Sequence, residues 1–520
     1  MIRDLDSELD NNLRGDFVII GGGTAGLTVA QKLASLGLGK IVVLELGGNQ
    51  LSTASQSFPK VEFSKKVYRG ADEGRFAGLG GTSARWGGAL IPFQPNDFSG
   101  QYRDLIKDVN EYIPEIESIF TLPNGDYLES ESVHLPNYIT RKAKWPKFSK
   151  RNVAKLFDKE IRFNRNLIIY THANVLDFEI DKNEIRSIFV ENSRGIRFTV
   201  QCQIAILSAG AIESTRILLK LEEKYKKKEG LTIDFPTGLF FSDHLSVKIA
   251  ELAALDNSKL NTLFGYRFTR GGSMSNIRFE LDPVTRLRES LPPHFVHISF
   301  DLSTPGGFAI LREIFREIQE RRFPSIVNLF ILLKYFPWMA RALWWRFVKH
   351  RLLYPDNAKI EMHLVFEQCP TSENRIIQCN QSACNHTLEP IEIAWGVSHL
   401  DEKNLTKILE NFKNSWHSSQ ISQLVDTFFL DDCEILESLA TGGGIYHPTG
   451  STRIQVDGFS GSVDVNLKVN RFSNLYLVST SVLNWGGGAN PTMTELMLGL
   501  RLVDHLNSLH GVKNKASSGL

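Results

Sequence analysis

Apolar runs that end on glycine recur along the chain. Residues 16–23, DFVIIGGG, read as a buried strand running straight into three glycines. The following TAGLTVAQKLASLG places Leu27, Ala30, Leu33 and Ala34 on one helical face. KIVVLELG then reads as a second buried strand. A strand–helix–strand unit of this kind implies a parallel sheet. A loop-rich stretch containing RFAGLGGTSARWGGALIP extends to about residue 100. Between 165 and 210 lie the strand patterns NLIIYTHANV, IRSIFVENS, GIRFTV and CQIAILSAG, and the last enters the helical AIESTRILLKL. From about 245 to 440 the alternation predicts antiparallel strands, as in AKIEMHLVFEQCP and EPIEIAWGVS. Glycine-rich chemistry returns in TGGGIYHPTGSTRI and in NWGGGANPTMTELMLGL.

Glycine-rich segments thus stand at both ends and near the middle. The simplest arrangement is an α/β fold with a Rossmann-like nucleotide-binding domain made of discontinuous segments, 12–100, 165–245 and 440–520. A substrate-binding domain from 101–164 and 246–439, with a mainly antiparallel sheet and helices, is expected to be inserted into it. A length of 520 residues suits two or three domains or one large discontinuous unit.

Hydrophobic residues make up 42% and charged residues 22%, ordinary for a soluble globular protein. The formal net charge of +1 gives no reason to propose nucleic acid as a partner. The five cysteines, Cys202, Cys369, Cys379, Cys384 and Cys433, form no CxxC pair. They predict reduced thiols and no metal site. The polar start MIRDLDSELDNNLRGD has no apolar signal core, and no apolar run reaches the ~20 residues of a membrane span. A cytoplasmic protein is the expectation.

Gly21, Gly23 and Gly26 form a GxGxxG between strand and helix, and Glu45 ends the next strand. Gly21 allows the tight turn, Gly23 the approach of a pyrophosphate, and Gly26 close packing of helix on strand. The helix N-terminus offers N–H groups and partial positive charge to phosphate. Glu45 is placed to accept from a ribose diol. FAD and NAD both satisfy this pattern.

The ordered segments DFVIIGGGTAGLTVA, GLGGTSARWGGAL, HANVLDFEI, AILSAGAIESTRILL, FFSDH, EQCPTSENRI, YHPTGSTRI, NLYLVSTSVL and GGANPTMTELMLGLRLVDHL resemble those of the glucose–methanol–choline (GMC) family of flavin oxidoreductases. The stretch from about 250 to 355 resembles no part of it. The resemblance implies FAD as cofactor. It extends the binding residues from Gly21, Gly23, Thr24, Ala25, Gly26 and Glu45 to Gly80, Gly81, Thr82, Ser83, Trp86, Gly87 and Gly88 of the second loop. Val175, Ala209, Gly210, Pro491 and Thr492 complete the implied set. Arg85 stands where some members carry a flavin-linking His, which implies FAD held without a covalent bond.

The resemblance also implies that His447 and Asn490 carry the chemistry. Histidine can take a hydroxyl proton, and an amide can hold the substrate oxygen without competing for it. A carbon hydrogen can then leave as hydride to flavin N5. Pro491 fits a first helical position, with Asn490 as cap or as substrate partner. That helix start would stabilise an anionic reduced flavin. Gly486, Gly487 and Gly488 would leave room for the ring.

The implied enzyme oxidises a CH–OH group of a sugar, glycoside or polyol. Alternatives are a hydrophobic alcohol met at a membrane, or a flavin-binding redox partner with no alcohol substrate. Residues 311–352 are basic, aromatic and broken by Pro324 and Pro337. Such stripes predict internal packing or a lid, with contact to a membrane or an electron-acceptor protein as the alternative. Asp243 and His244 are expected to make a hydrogen bond at the domain boundary.

Overall fold

A computed structural model of the chain describes residues 1–129, 134–253, 257–269, 271–301, 306–355, 358–379, 390–442, 444–456 and 458–517. Cys384 lies outside the described residues.

The all-apolar runs become the centre of an eight-stranded sheet. Asn12–Ile20 lies between Ile41–Leu44 and Arg197–Leu207, parallel to both. Leu167–Thr171 adds beyond Ile41–Leu44, and Ile2–Asp4 forms the edge. Phe17, Val18, Ile19 and Ile20 are all buried, as expected of a parallel strand covered on both faces. Arg197–Leu207 is long enough to serve two partners. Its first half pairs antiparallel with Glu184–Glu191, and its last residues pair parallel with Leu475–Leu477. The C-terminal segment therefore returns to the sheet beside the first strand.

Alternating segments form a second sheet of seven strands in which every pairing is antiparallel. Its strands include Tyr138–Trp145, His244–Ala253, Met274–Leu281, His294–Phe300 and Ile360–Glu367. The alternation expected after residue 245 is thus realised, and Tyr138–Trp145 joins it from the earlier segment. Val61–Phe63 pairs with Ile391–Ala394 in a smaller sheet that also holds Arg375–Gln378. Each large sheet has its own apolar core. The α/β reading holds: a mixed sheet with a parallel, nucleotide-type centre is accompanied by an antiparallel one.

The helix Thr24–Ser35 begins where Gly21 turns the chain at φ 108°. Gly26 lies so close to the strand that a Cβ there would overlap the Gly21 carbonyl oxygen. At Gly23 a Cβ would meet nothing within 4 Å. Gly26→Ala should lower stability by about 2 kcal/mol or more, from backbone overlap. Gly23→Ala should stay within about 1 kcal/mol of the parent. Urea unfolding of both variants measures the contrast.

Candidate functional site

A cleft of about 650 Å³ opens at the carboxyl ends of the parallel strands. This is where ligands sit in open α/β sheets. Three helix starts border it: Thr24 of the first helix, Ala211 of Ala211–Glu229, and Thr492 of Thr492–Ser517.

Most expected cofactor residues line this cleft. They are Gly21, Gly23, Thr24, Ala25 and Glu45 from the first unit, and Gly81, Thr82, Ser83, Trp86, Gly87 and Gly88 from the second loop. Val175, Ala209, Gly210 and Thr492 line it as well. Gly26, Gly80 and Pro491 are not among the lining residues. Gly26 packs helix on strand. Gly80, at φ 92°, donates its N–H to Gly22 O at 2.9 Å and is pressed against Asn152. Pro491 O accepts from Glu495 N at 2.9 Å, so the helix starts one residue later than Pro491 at its first position would require.

Glu45 is held in place by backbone donors. Its carboxylate is buried and accepts from the backbone N–H of Gly22 (2.7 Å), Gly47 (2.9 Å) and Gly78 (2.8 Å). It thereby ties three glycine-containing turns together at the cleft edge. Burial raises its pKa.

The residues present fit a dinucleotide such as FAD. A Cβ at Gly23 would project into open space beside a helix N-terminus, where phosphate is favoured. The buried hydroxyl of Ser208, on the cleft wall, has no hydrogen-bond partner among the described residues. The volume lies within the ~300–1,000 Å³ of cofactor sites.

On the wall of this cleft His447 and Asn490 meet, with Asn490 Nδ2 3.2 Å from His447 Nε2. Two distant segments are brought together by short backbone pairings. Ser242 and Thr449 exchange N–H···O bonds of 3.1 and 2.8 Å. That pairing sets His447 against His244, at the start of the strand His244–Ala253. Their Nδ1 atoms are 3.3 Å apart, and their rings are edge-on at 87°.

The protons of this pair follow from its partners. His244 Nε2 lies 2.8 Å from Gly487 O, a pure acceptor, so it carries a proton and donates. Burial, opposed by the hydrogen bond to Gly487 and reinforced by the nearby Arg278, holds His244 down to about 4, so its ring is neutral and its Nδ1 is a bare lone pair. His447 Nδ1–H must then be the donor between the rings. His447 Nε2 is left as the lone pair, facing Asn490 Nδ2–H2. The order of donors fixes which nitrogen can act as base.

Asp243 supports the arrangement. It accepts from Tyr68 Oη (2.7 Å) and from the backbone N–H of His244 (2.6 Å), Tyr446 (3.0 Å) and His447 (2.8 Å). Four donors fill the usual four sites of a carboxylate. Its oxygens lie close enough to both imidazoles to suggest a metal site, but they are already occupied by these donors. Tyr446 takes φ 66°, uncommon for a bulky residue, and this turn aims both amides at Asp243. Burial pushes Asp243 up to about 6. Asp243 and His244 therefore belong to the site itself, and are more than the domain-boundary hydrogen bond expected.

Asn490 does not cap the helix with its side chain. Its Oδ1 accepts from Arg278 Nη1 at 3.3 Å, which turns Nδ2 towards His447. Arg278 also donates to Gly488 O at 2.7 Å and from Nε to Glu280 Oε1 at 2.7 Å. Arg141 stands directly opposite Arg278 across the strand pair, and its Nη1 donates to Glu280 Oε2 at 2.8 Å. Glu280 thus relieves two buried guanidiniums that would otherwise repel. Sequence reasoning missed Arg278. It lies on the alternating strand Met274–Leu281, where SMSNIRFEL reads as ordinary sheet.

The three glycines before Asn490 serve a different purpose from leaving room for a ring. None lines the cleft. A Cβ on Gly486 would stand 3.2 Å from His244 Nε2, on Gly487 3.0 Å from Phe98, and on Gly488 3.3 Å from Asp97. The segment is pressed against buried side chains so that Gly487 O reaches His244 and Gly487 N reaches Glu367 (2.6 Å).

Arg85 pairs with Glu320 and lies over the Phe76 ring at 5.4 Å, on the cleft wall.

Residues 370–499 match the family model described as GMC oxidoreductase. A 40-residue stretch is 50% identical to patulin synthase of Penicillium expansum, over 8% of this chain and 6% of that protein. The fold is similar to that of pyridoxine 4-oxidase from Mesorbium loti, with a TM-score of 0.60 at 15% identity, covering 95% of this chain and 99% of that one. It is also similar to a mutant formate oxidase of Aspergillus oryzae RIB40, studied for FAD modification. That match has a TM-score of 0.59 at 15% identity and covers 97% of this chain and 100% of the other.

Burial, then the proximity of His244 and Arg278, brings His447 down to about 3. A lowered imidazole pKa means the neutral ring persists at every pH above that value. Nitrogen-15 histidine spectra, assigned with His447→Ala, should therefore show His447 neutral and Nδ1-protonated from pH 8 to pH 5. His244 should be the Nε2–H tautomer. Titration of His447 near the ordinary ~6.5 would contradict the assignment.

Proposed function

We propose that this chain, a GMC oxidoreductase by residues 370–499 and by its fold, oxidises a CH–OH group to a carbonyl with FAD held non-covalently. The observation that carries the reading is the His447–Asn490 pair on the wall of a dinucleotide-sized cleft. Bound FAD supplies the acceptor for the two electrons and the hydrogen that leave the alcohol carbon. Gly21, Gly23, Thr24, Gly81, Gly210 and Thr492 are the residues that would hold it.

The chain's own contribution is to seat and deprotonate the alcohol. An alcohol oxygen seated beside the pair, taking the place of their direct bond, accepts from Asn490 Nδ2 and donates to His447 Nε2. As the carbon loses its hydrogen, the hydroxyl proton passes to His447. The resulting imidazolium keeps Nδ1–H towards His244, whose lone pair stabilises it. Burial opposes this charge, so the proton is taken only as the substrate loses hydride. Arg278 positions Asn490, and His244 positions His447.

Arg85 lies where some members carry a flavin-linking His, and arginine forms no such bond, which supports the non-covalent reading. The sugar, glycoside or polyol substrate rests on the similarity of LGGTSARWGG. A second reading, a hydrophobic alcohol, is favoured by the exposed apolar side chains of the helices Ile326–Leu333 and Phe336–Trp344. An anaerobic screen of polyols and long-chain alcohols, read as bleaching of the flavin band, separates the two. Bleaching by neither class would count against alcohol oxidation and leave a flavin-binding redox partner.

His447→Ala should slow flavin reduction by ~10²–10⁴-fold with FAD retained. Asn490→Ala should cost about 10–10²-fold, as for a hydrogen bond to a developing charge. Unchanged reduction in His447→Ala would reject the reading. His244→Leu should lower kcat by about tenfold or more with KM little changed. His244→Gln, which can both donate and accept, should recover most of that loss.

A further inference from the structure

Of residues 311–352, for which internal packing or a lid is expected, only part packs against the rest of the protein. Helix Gly307–Gln319 packs on the protein, while Ile326–Leu333 and Phe336–Trp344, continued by a π turn to Lys349, stand outward. Their inner face is slight: Leu332 and Trp345 are buried, and Trp338 packs edge-on against Phe308. Their outer face carries Phe330 at 66% exposure, Phe336 at 67% and Phe347 at 68%, with Phe323 at 98% just before them. Ile326, Val327, Leu333, Leu343, Trp344 and Val348 are also exposed. So many large apolar side chains exposed within one short segment mark an interaction site.

Charge identifies the occupant. From Arg321 to Arg351 the sequence has seven Lys and Arg and no Asp or Glu. Lys334, Arg341 and Lys349 are exposed among the apolar side chains, and Arg322 beside them pairs with Glu320. A second copy of the chain would bring like charges together across a two-fold contact. An anionic lipid surface complements both features, with acyl chains for the rings and phosphates for the cations.

Geometry fixes the mode. No single helix among the described residues is long and apolar enough to cross a membrane. Ile326–Leu333 and Phe336–Lys349 are bent by 85° at their break. At ~1.5 Å per residue, neither reaches the ~30 Å of a hydrocarbon core.

We propose that this bent helix pair is a monotopic anchor that seats the protein on an anionic bilayer. The anchor is tied to the candidate site. Gln319 Nε2 donates to Ser83 O and Trp86 O, both at 3.1 Å, and Glu320 pairs with Arg85. The helix that carries the anchor is thereby fastened to the loop that lines the cleft. The anchor does not depend on the chemistry proposed above, and its test does not read turnover.

The test is co-sedimentation of the full flavin-loaded chain with phosphatidylcholine vesicles, with and without phosphatidylglycerol. The protein should partition several-fold more to the anionic vesicles, and less at high salt. Phe330→Asp with Phe347→Asp should reduce binding at least tenfold while the flavin spectrum is unchanged. Lys334→Glu with Lys349→Glu should remove the preference for anionic lipid. Absence of binding to either vesicle would overturn the proposal, as would undiminished binding of the aspartate variant. Equal binding to neutral vesicles would overturn the role of charge. A dimer by light scattering that the aspartate variant dissolves, without vesicle binding, would assign the surface to a second copy.

Discussion

The arrangement depends on one hydrogen bond between two neutral imidazoles. His447 Nδ1 donates to His244 Nδ1, and His244 Nε2 donates to Gly487 O. A backbone carbonyl, which can only accept, therefore determines which nitrogen of a side chain two steps away carries the lone pair. The rest of the site keeps those atoms in line. Asp243 gathers the two histidine backbones, and the glycines let Gly487 come close enough to accept.

Keeping the relay neutral avoids most of the cost of burial. An isolated buried ion costs several kcal/mol even after relaxation. The nearby charges are instead arranged as a set, with Glu280 between Arg278 and Arg141. Arg278 then uses its remaining donors on Gly488 O and Asn490 Oδ1. One guanidinium thus links the antiparallel sheet to the loop before the C-terminal helix. The two sheets meet at the site through side chains whose partners are few and specific.

The nucleotide end was legible because its signals are local. A strand, a glycine turn and a helix lie within some twenty residues, and each glycine has a distinct steric reason. His447 and Asn490 became candidates only through resemblance, and the structure brings them within hydrogen-bond reach. Asp243 and His244 were legible only as a domain-boundary hydrogen bond, and Arg278 was not legible as a site residue at all. His244 begins a strand and Arg278 lies within one, where a polar residue in alternation reads as solvent-facing. Their partners are 203 and 212 residues away in sequence. The DH pair at 243–244 was the available signal, since an acid beside a histidine at the entry to a new sheet can fix two segments at once. The 311–352 stripe left packing and surface contact open because an amphipathic pattern gives the same periodicity against a core and against lipid. The absence of Asp and Glu between Arg321 and Arg351 is the feature that separates the two.

The account's central claim is that His447 Nε2 and Asn490 Nδ2 together face the reacting end of a flavin. The most direct measurement is a crystal structure of the FAD-loaded protein with a bound alcohol or unreactive analogue. The account predicts an isoalloxazine in the cleft, with the ligand oxygen within hydrogen-bond distance of both nitrogens. A ring bound elsewhere, or an oxygen held by neither side chain, would contradict it.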